Sequence, residues 1–228
     1  MLRKVLWGGF ALFMASFALK IAQAQQGPQF MLTWTAHGSY TPPGYVGKAL
    51  PNQNSQITAS LALISGGQLV NLKNRTIYWY LNDTFIGGGV GAQNISFSPL
   101  GEAPTYLSLK AEIPNYNGNL VVDEVQIPLV QPKAVIEIQH VNGQFSSNPL
   151  ALQGTPYYFN TPNPTALSYQ WSVNGQSPSS AENPETLLVN LDQGTPSGSN
   201  FSVNLRITNP TDSMNAADST NLTYIKQL

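Results

Sequence analysis

The 228-residue chain contains no cysteine and only two histidines, His37 and His140. The first absence excludes disulfide frameworks, thiol catalysis, cysteine-based zinc sites and a lipid anchor on cysteine. The second leaves little material for metal binding or proton transfer. Charge is also scarce. Ten Lys+Arg and eleven Asp+Glu make up 9% of the residues, against about a quarter in ordinary globular proteins. Nucleic acid is excluded as a partner on this ground, because its recognition needs clustered Lys and Arg. The low charge does not mean disorder, since 42% of the residues are hydrophobic and 10% aromatic, enough for a core. Long helical stretches are missing as well. Seventeen Pro and nineteen Gly punctuate the chain so often that no helix of three turns can be drawn after the N-terminal segment.

The first 24 residues differ from the rest. Arg3 and Lys4 precede an apolar run over residues 5–19, then Lys20, then Ala22-Gln23-Ala24. That order is the signal-peptide pattern of a positive end, an apolar middle and a small-x-small cleavage site. The run is shorter than the roughly 20 residues that span a bilayer. The alternative is an uncleaved N-terminal anchor, which would be the chain's only membrane contact. Cleavage after residue 24 leaves 204 residues with 7 basic and 11 acidic groups, a net charge of −4. The expected location is outside the cytoplasm: secreted, periplasmic or on the cell surface.

The remaining residues read as strands. Residues 33–36, 57–63 and 107–113 alternate apolar with polar or small side chains. In the last, Leu107, Leu109, Ala111 and Ile113 face one way, and Ser108, Lys110 and Glu112 the other. That is a half-buried antiparallel strand. Asn117-Gly118, Asn142-Gly143 and Asn174-Gly175 are pairs that favour tight hairpins. An internal repeat organises the whole. Ile77-Tyr78-Trp79-Tyr80-Leu81-Asn82-Asp83 recurs as Tyr169-Gln170-Trp171-Ser172-Val173-Asn174-Gly175, an offset of 92 residues at the tryptophan. Some thirty residues after each copy comes a second alternating strand, 107–113 and then 201–207, followed by a last strand at 121–130 and 221–225. A repeat of this period indicates tandem domains and not a solenoid.

Trp79 and Trp171 are the expected core tryptophans, each on a central strand. A buried tryptophan of this kind, among about seven short strands per hundred residues, resembles the immunoglobulin-like sandwich pattern. Residues 169–175 and 201–207 are similar to the central and later core strands of bacterial Ig-like and PKD-like domains, and residues 77–83 match more loosely. The glycine-aspartate-glycine turn of PKD domains and the cysteine pair of antibody domains are absent. The fold class implied is all-β, two tandem immunoglobulin-like (PKD-like) antiparallel sandwiches. The boundaries read as 1–24 signal peptide, 28–131 first sandwich and 133–228 second sandwich, joined near Gln131-Pro132-Lys133. So short a connector predicts a semi-rigid rod. By the resemblance, such modules act as spacers, adhesive surfaces or assembly parts of exported proteins.

No catalytic constellation emerges. Gly87-Gly88-Gly89-Val90-Gly91-Ala92 fits a dinucleotide fingerprint by letter, but a strand-like run follows instead of a helix, so it reads as a hairpin or sheet-edge loop. His37 and His140 lack a nucleophile elbow, and His140 falls close to the domain junction. Asp123 and Glu124, adjacent on a strand, point to opposite faces and cannot act as a pair. Glu182 and Glu185, like Asp192, Asp212 and Asp218, have no recognisable calcium spacing and read as solvated loop carboxylates. Five Asn-x-Ser/Thr sequons, at Asn74, Asn82, Asn94, Asn200 and Asn221, are expected by chance in so Asn-rich a chain. No cofactor or metal is expected. Aromatic residues are the strongest ligand candidates. Tyr157-Tyr158-Phe159 alternates its rings across a strand, while Tyr40, Tyr45 and Tyr116 sit beside turn residues. Tyr116, Tyr157 and Tyr158 are therefore candidate ligand-binding aromatics, and core packing is the competing reading.

The resulting expectation is an exported, non-enzymatic surface or envelope protein, working as a structural or adhesive binding module with a protein partner or surface assembly. Strand addition at a sheet edge is one physical route to such contacts. The alternative is a carbohydrate-binding module, whose mark would be a coplanar row of exposed rings on one sheet face.

Overall fold

The computed structural model describes residues 28–99, 105–138, 141–178 and 183–226. The segment 1–24, His140 and Glu182 lie outside these residues. Everything described is strand, turn or loop, apart from two single 3-10 turns at Val141–Gly143 and Pro164–Ala166.

The first sandwich contains β1 (Gln29–His37), β2 (Gln56–Ser65), β3 (Gln68–Leu69), β4 (Thr76–Leu81), β5 (Thr84–Val90), β6 (Asn94–Phe97), β7 (Tyr106–Tyr116) and β8 (Asn119–Pro128). One sheet centres on β2, with β1 along one side and β3 and β6 along the other. The facing sheet runs β5-β4-β7-β8, all antiparallel. The second sandwich contains β9 (Lys133–Glu137), β10 (Gln144–Phe145), β11 (Leu150–Tyr157), β12 (Ser168–Val173), β13 (Thr186–Val189), β14 (Asn200–Thr208) and β15 (Asn215–Tyr224). Its sheets are β13-β11-β9 and β10-β15-β14-β12, with β10 parallel to β15 and the other pairs antiparallel. Two such sheets face to face, with consecutive strands crossing between them, make the immunoglobulin-like arrangement.

Side-chain period dictates which residues meet inside. Along β7, Leu107, Leu109, Ala111 and Ile113 are buried, while Ser108, Lys110 and Glu112 face outward. Two hydrophobic cores result, and they share no residue. One gathers around Trp79, the other around Trp171. Each indole N–H must find an acceptor once buried. Trp79 Nε1 donates to the Ala92 carbonyl at 2.8 Å, and Trp171 Nε1 to the Pro184 carbonyl at 3.0 Å. Donor and acceptor are thirteen residues apart in both, so the repeat extends to the hydrogen bond.

A second bond set recurs. Asn82 (φ 46°) and Asn174 (φ 49°) both turn the chain after the tryptophan strand in the left-handed region that asparagine tolerates. Asn82 N–H donates to Ser108 O at 2.8 Å, and Ser108 N–H returns a bond to Asn82 Oδ1 at 2.9 Å. Asn174 and Ser202 repeat this bracket at 2.8 and 2.9 Å. The asparagine therefore ties the hairpin tip to the neighbouring strand of its own sheet.

Asn117-Gly118 and Asn174-Gly175 form two-residue turns with positive φ at both positions. Asn142-Gly143 does not form a hairpin. It belongs to a 3-10 turn that leads into β10, because β10 pairs with the distant β15. Gly87–Gly89 is not loop either but lies within β5, at the edge of its sheet.

The junction is more than a linker. Residues 38–55, between β1 and β2, reach across to the turn after β11. Tyr40 N–H donates to Phe159 O at 2.8 Å, and Tyr158 N–H to Tyr40 O at 2.6 Å. Asn52, fully buried, donates from Nδ2 to Tyr158 O at 2.6 Å, and Asn54 Nδ2 to Asp212 Oδ2 at 3.0 Å. The Tyr45 and Tyr158 hydroxyls lie 2.8 Å apart. Gly38 approaches so closely that a Cβ there would sit 2.5 Å from Asn160 Oδ1. A short connector alone sets a maximum separation. These bonds add a fixed orientation.

Candidate interaction surface

The candidate aromatics divide by location. Tyr116 is not an exposed loop residue. It ends β7 at 6% exposure, inside the first core, with the Arg75 guanidinium 5.5 Å from its ring centroid. A register shift between Ile113 and Tyr116 turns the ring inward, so it cannot stack on a ligand. Tyr157 and Tyr158 are half-buried at the junction, and Tyr45 packs edge-on against both at 6.3 and 6.2 Å. The rings read as ligand candidates face the other sandwich instead. Its hydrogen bond to the Tyr45 hydroxyl, which the neutral Tyr158 O–H donates, and then burial push the Tyr158 phenol up to about 12. Trp79, fully buried, and Trp171, at 8% exposure, stand in the two cores.

Four of the remaining polar candidates have structural partners, whereas Glu185 is not a solvated carboxylate, since its Oε1 is buried without a hydrogen bond among the described residues. His37 lies at the end of β1 with Nε2 3.0 Å from Thr58 Oγ1. Glu124 accepts the Ser108 hydroxyl at 2.5 Å, Asp218 accepts the Ile136 N–H at 2.8 Å, and Asp212 accepts the Met214 N–H at 3.1 Å. Burial, and then the Glu185 charge, raises the phenols of Tyr40 and Tyr169. Among the described residues, no three His, Asp or Glu side chains converge as metal ligands.

The exposed outer face of the β5-β4-β7-β8 sheet is where apolar and charged groups do gather. Tyr78 (37% exposed), Tyr80 and Phe85 (55%) share it. Phe85 meets Tyr78 at 6.1 Å and Tyr80 at 5.8 Å, with ring planes 67° and 69° apart. Lys110 Nζ lies 4.8 Å from the Tyr80 centroid, 3.3 Å from Asp83 Oδ1 and 3.5 Å from Glu112 Oε1. The hydrogen bond to Asp83 is the main cause that raises the Lys110 pKa. Sequence reasoning passed over Tyr78, Tyr80 and Phe85. The signal was present, since residues flanking a buried Trp79 must point out of the opposite face.

The corresponding face of the second sandwich has another character. Gln170 and Ser172 stand 92 residues after Tyr78 and Tyr80, and Asn204 and Arg206 stand 94 residues after Lys110 and Glu112. With Ser219 they line a shallow groove of about 530 Å3. The positions match, but the chemistry does not. One face has three rings and an ion cluster, the other amides, hydroxyls and a guanidinium.

No family model and no curated protein matches this chain. Solved structures do resemble it. The fibronectin(III)-like modules of Clostridium thermocellum CbhA are 14% identical over 86% of this chain and 94% of theirs, at a TM-score of 0.30. Three N-terminal domains of the bacteriophage RB49 highly immunogenic outer capsid protein (Hoc) are 13% identical, over 84% of this chain and 59% of theirs, at 0.42. The Bacteroides ovatus mixed-linkage glucan utilization locus protein SGBP-B, solved with a heptasaccharide, is 13% identical over 88% of this chain and 48% of its own, at 0.29. The chain thus spans about half of some of these proteins. The fold assignment rests on the strand order above. Among the described residues, no helix is long and apolar enough to cross a membrane.

Proposed function

We propose that this chain is an exported, non-enzymatic surface module whose two sandwiches hold the outer face of β5-β4-β7-β8 toward a protein partner. In this reading residues 1–24 are a cleaved signal peptide, 28–131 form the presenting sandwich and 133–228 the supporting one. The carrying observation is the contrast between matched faces. Tyr78 and Tyr80, with exposed Phe85 and an ion cluster beside them, stand where the other sandwich has Gln170 and Ser172. Solvent-exposed aromatic and apolar groups gathered together mark contact surfaces. The junction supports the reading, because a fixed angle lets one sandwich aim the other. The Phe85 ring plane lies 67–69° from those of Tyr78 and Tyr80, so the three rings together do not form one flat platform for a sugar.

The test is photocrosslinking in the host, with a photoreactive residue at Phe85 or, separately, at Asn204. Fractionation should place the protein outside the cytoplasm, and adducts should form from position 85 and not from 204. Cytoplasmic retention, or equal adducts from both faces, would refute the proposal.

A further inference from the structure

The β5 edge sharpens that reading, on which this inference rests. β5 pairs with β4 alone among the described strands, so its other side presents unpaired backbone. Edges of this kind are usually guarded by charge or proline. β8, at the opposite side of the sheet, carries Asp123, Glu124 and Pro128; β5 reads Thr-Phe-Ile-Gly-Gly-Gly-Val, with neither. Its register fixes which groups are free. Gly91 N–H donates to Arg75 O, which makes Arg75/Gly91 a hydrogen-bonded pair. Antiparallel pairs alternate, so Thr76/Val90 and Tyr78/Gly88 are the non-bonded ones. Gly88 and Val90 therefore aim N–H and C=O away from β4, toward the open edge.

Gly88 also opens a path across the face. A Cβ there would run into the Ile77 carbonyl, so glycine is required. Position 88 then places no side chain between the edge and the ring of Tyr78, which Phe85 meets edge-on at 6.1 Å and beyond which Glu112 is the cross-strand partner on β7. The neighbouring ring shows what such a place holds, since Lys110 lies over Tyr80 between Asp83 and Glu112. Among the described residues Tyr78 has no cation over it. Asp83, Glu112 and Glu124 outnumber Lys110 on this face, so its surplus is negative. A second copy would bring the same surplus and be repelled.

We propose that the open edge of β5 accepts an extended segment of a basic protein partner. Its backbone pairs with Gly88 and Val90, and a Lys or Arg side chain crosses Gly88 to lie on Tyr78 beside Glu112. Main-chain bonds supply affinity and the cation supplies selectivity.

The probe is an array of ten-residue peptides alternating Val or Thr with Arg or Lys, and the same array with Glu, titrated into the two-sandwich chain and followed by amide NMR. Basic peptides should bind below about 1 mM, with shifts and slowed exchange at the Gly88 and Val90 amides. Val90→Pro deletes an outward N–H without touching a bond to β4, so the fold should hold while binding falls about tenfold or more. Glu112→Gln should weaken only the basic peptides, by about fivefold. Absence of binding, equal binding of the Glu array, or binding untouched by Val90→Pro would overturn the proposal. So would an oligosaccharide that shifts Tyr78 and leaves both edge amides unmoved. If crosslinks from position 85 persist while every peptide fails, strand addition falls and the surface-module reading stands.

Discussion

The two sandwiches share a skeleton and differ in what they show to solvent. Trp79 and Trp171 bond carbonyls thirteen residues ahead, and Asn82 and Asn174 bracket a serine on the neighbouring strand with the same two bonds. The outward positions have diverged completely, from Tyr78, Tyr80, Lys110 and Glu112 to Gln170, Ser172, Asn204 and Arg206. Burial holds the inner positions to one solution, because an indole without an acceptor or a hairpin without its tie costs stability. Outward positions are free of that constraint and can follow partner chemistry. The divergence therefore separates what folds the domain from what the domain does.

The skeleton breaks hardest at tryptophan. Trp79→Ala and Trp171→Ala should each destabilise their own sandwich by about 3–5 kcal/mol, with the fully buried Trp79 at the upper end. Calorimetry should show one transition displaced in each variant. A loss below 1 kcal/mol at either site would break the equivalence. Next come Asn82→Gly and Asn174→Gly, which keep the backbone turn and remove the side-chain acceptor. Each should cost about 1 kcal/mol, by closely similar amounts.

The junction gives a smaller effect with a defined pH signature. Tyr158 is raised from 10.0 to about 12 in the fold, so the neutral phenol is the stabilised form. Its contribution is complete below pH 10, declines between about 10 and 12, and is gone above that. Proteolysis near Pro132 should accelerate over that window. Tyr158→Phe should flatten the profile at a cost of about 0.5–1.5 kcal/mol. An unchanged alkaline profile in the Phe variant would remove the Tyr45–Tyr158 bond from the account. Smallest of all in stability are the faces. Tyr78→Gln and Phe85→Ser should shift melting by no more than about 0.5 kcal/mol, since both rings are exposed.

Much of this skeleton is legible in the chain. Strict alternation over residues 107–113 specifies β7 and its inward face, and the Trp-x-aliphatic-Asn repeat specifies both central strands. Asn-Gly pairs mark turns, though Asn142-Gly143 misleads because its strand pairs far along the chain. What is not legible depends on long-range contact. Residues 38–55 have no period and abundant Pro, Gly and Tyr, so nothing local says that Tyr40 and Asn52 dock on residues 158–159. Tyr116 looks like a loop residue beside Asn117-Gly118 until a register shift buries it. The scarcity of charge reads differently once the faces are known. On these two faces charge concentrates on the first, and the second relies on Asn, Gln and Ser apart from Arg206.

The most direct measurement exchanges the faces. A chain carrying Tyr78→Gln, Tyr80→Ser, Lys110→Asn and Glu112→Arg wears the second sandwich's outward set on the first. Purified chains are mixed with washed envelopes of the host, and the sedimented fraction is measured. The unaltered chain should sediment, and so should a chain altered only at Gln170, Ser172, Asn204 and Arg206, whereas the first-face exchange should stay in the supernatant with its melting profile preserved. Sedimentation of the first-face exchange at the unaltered level would contradict the claim that this face makes the contact.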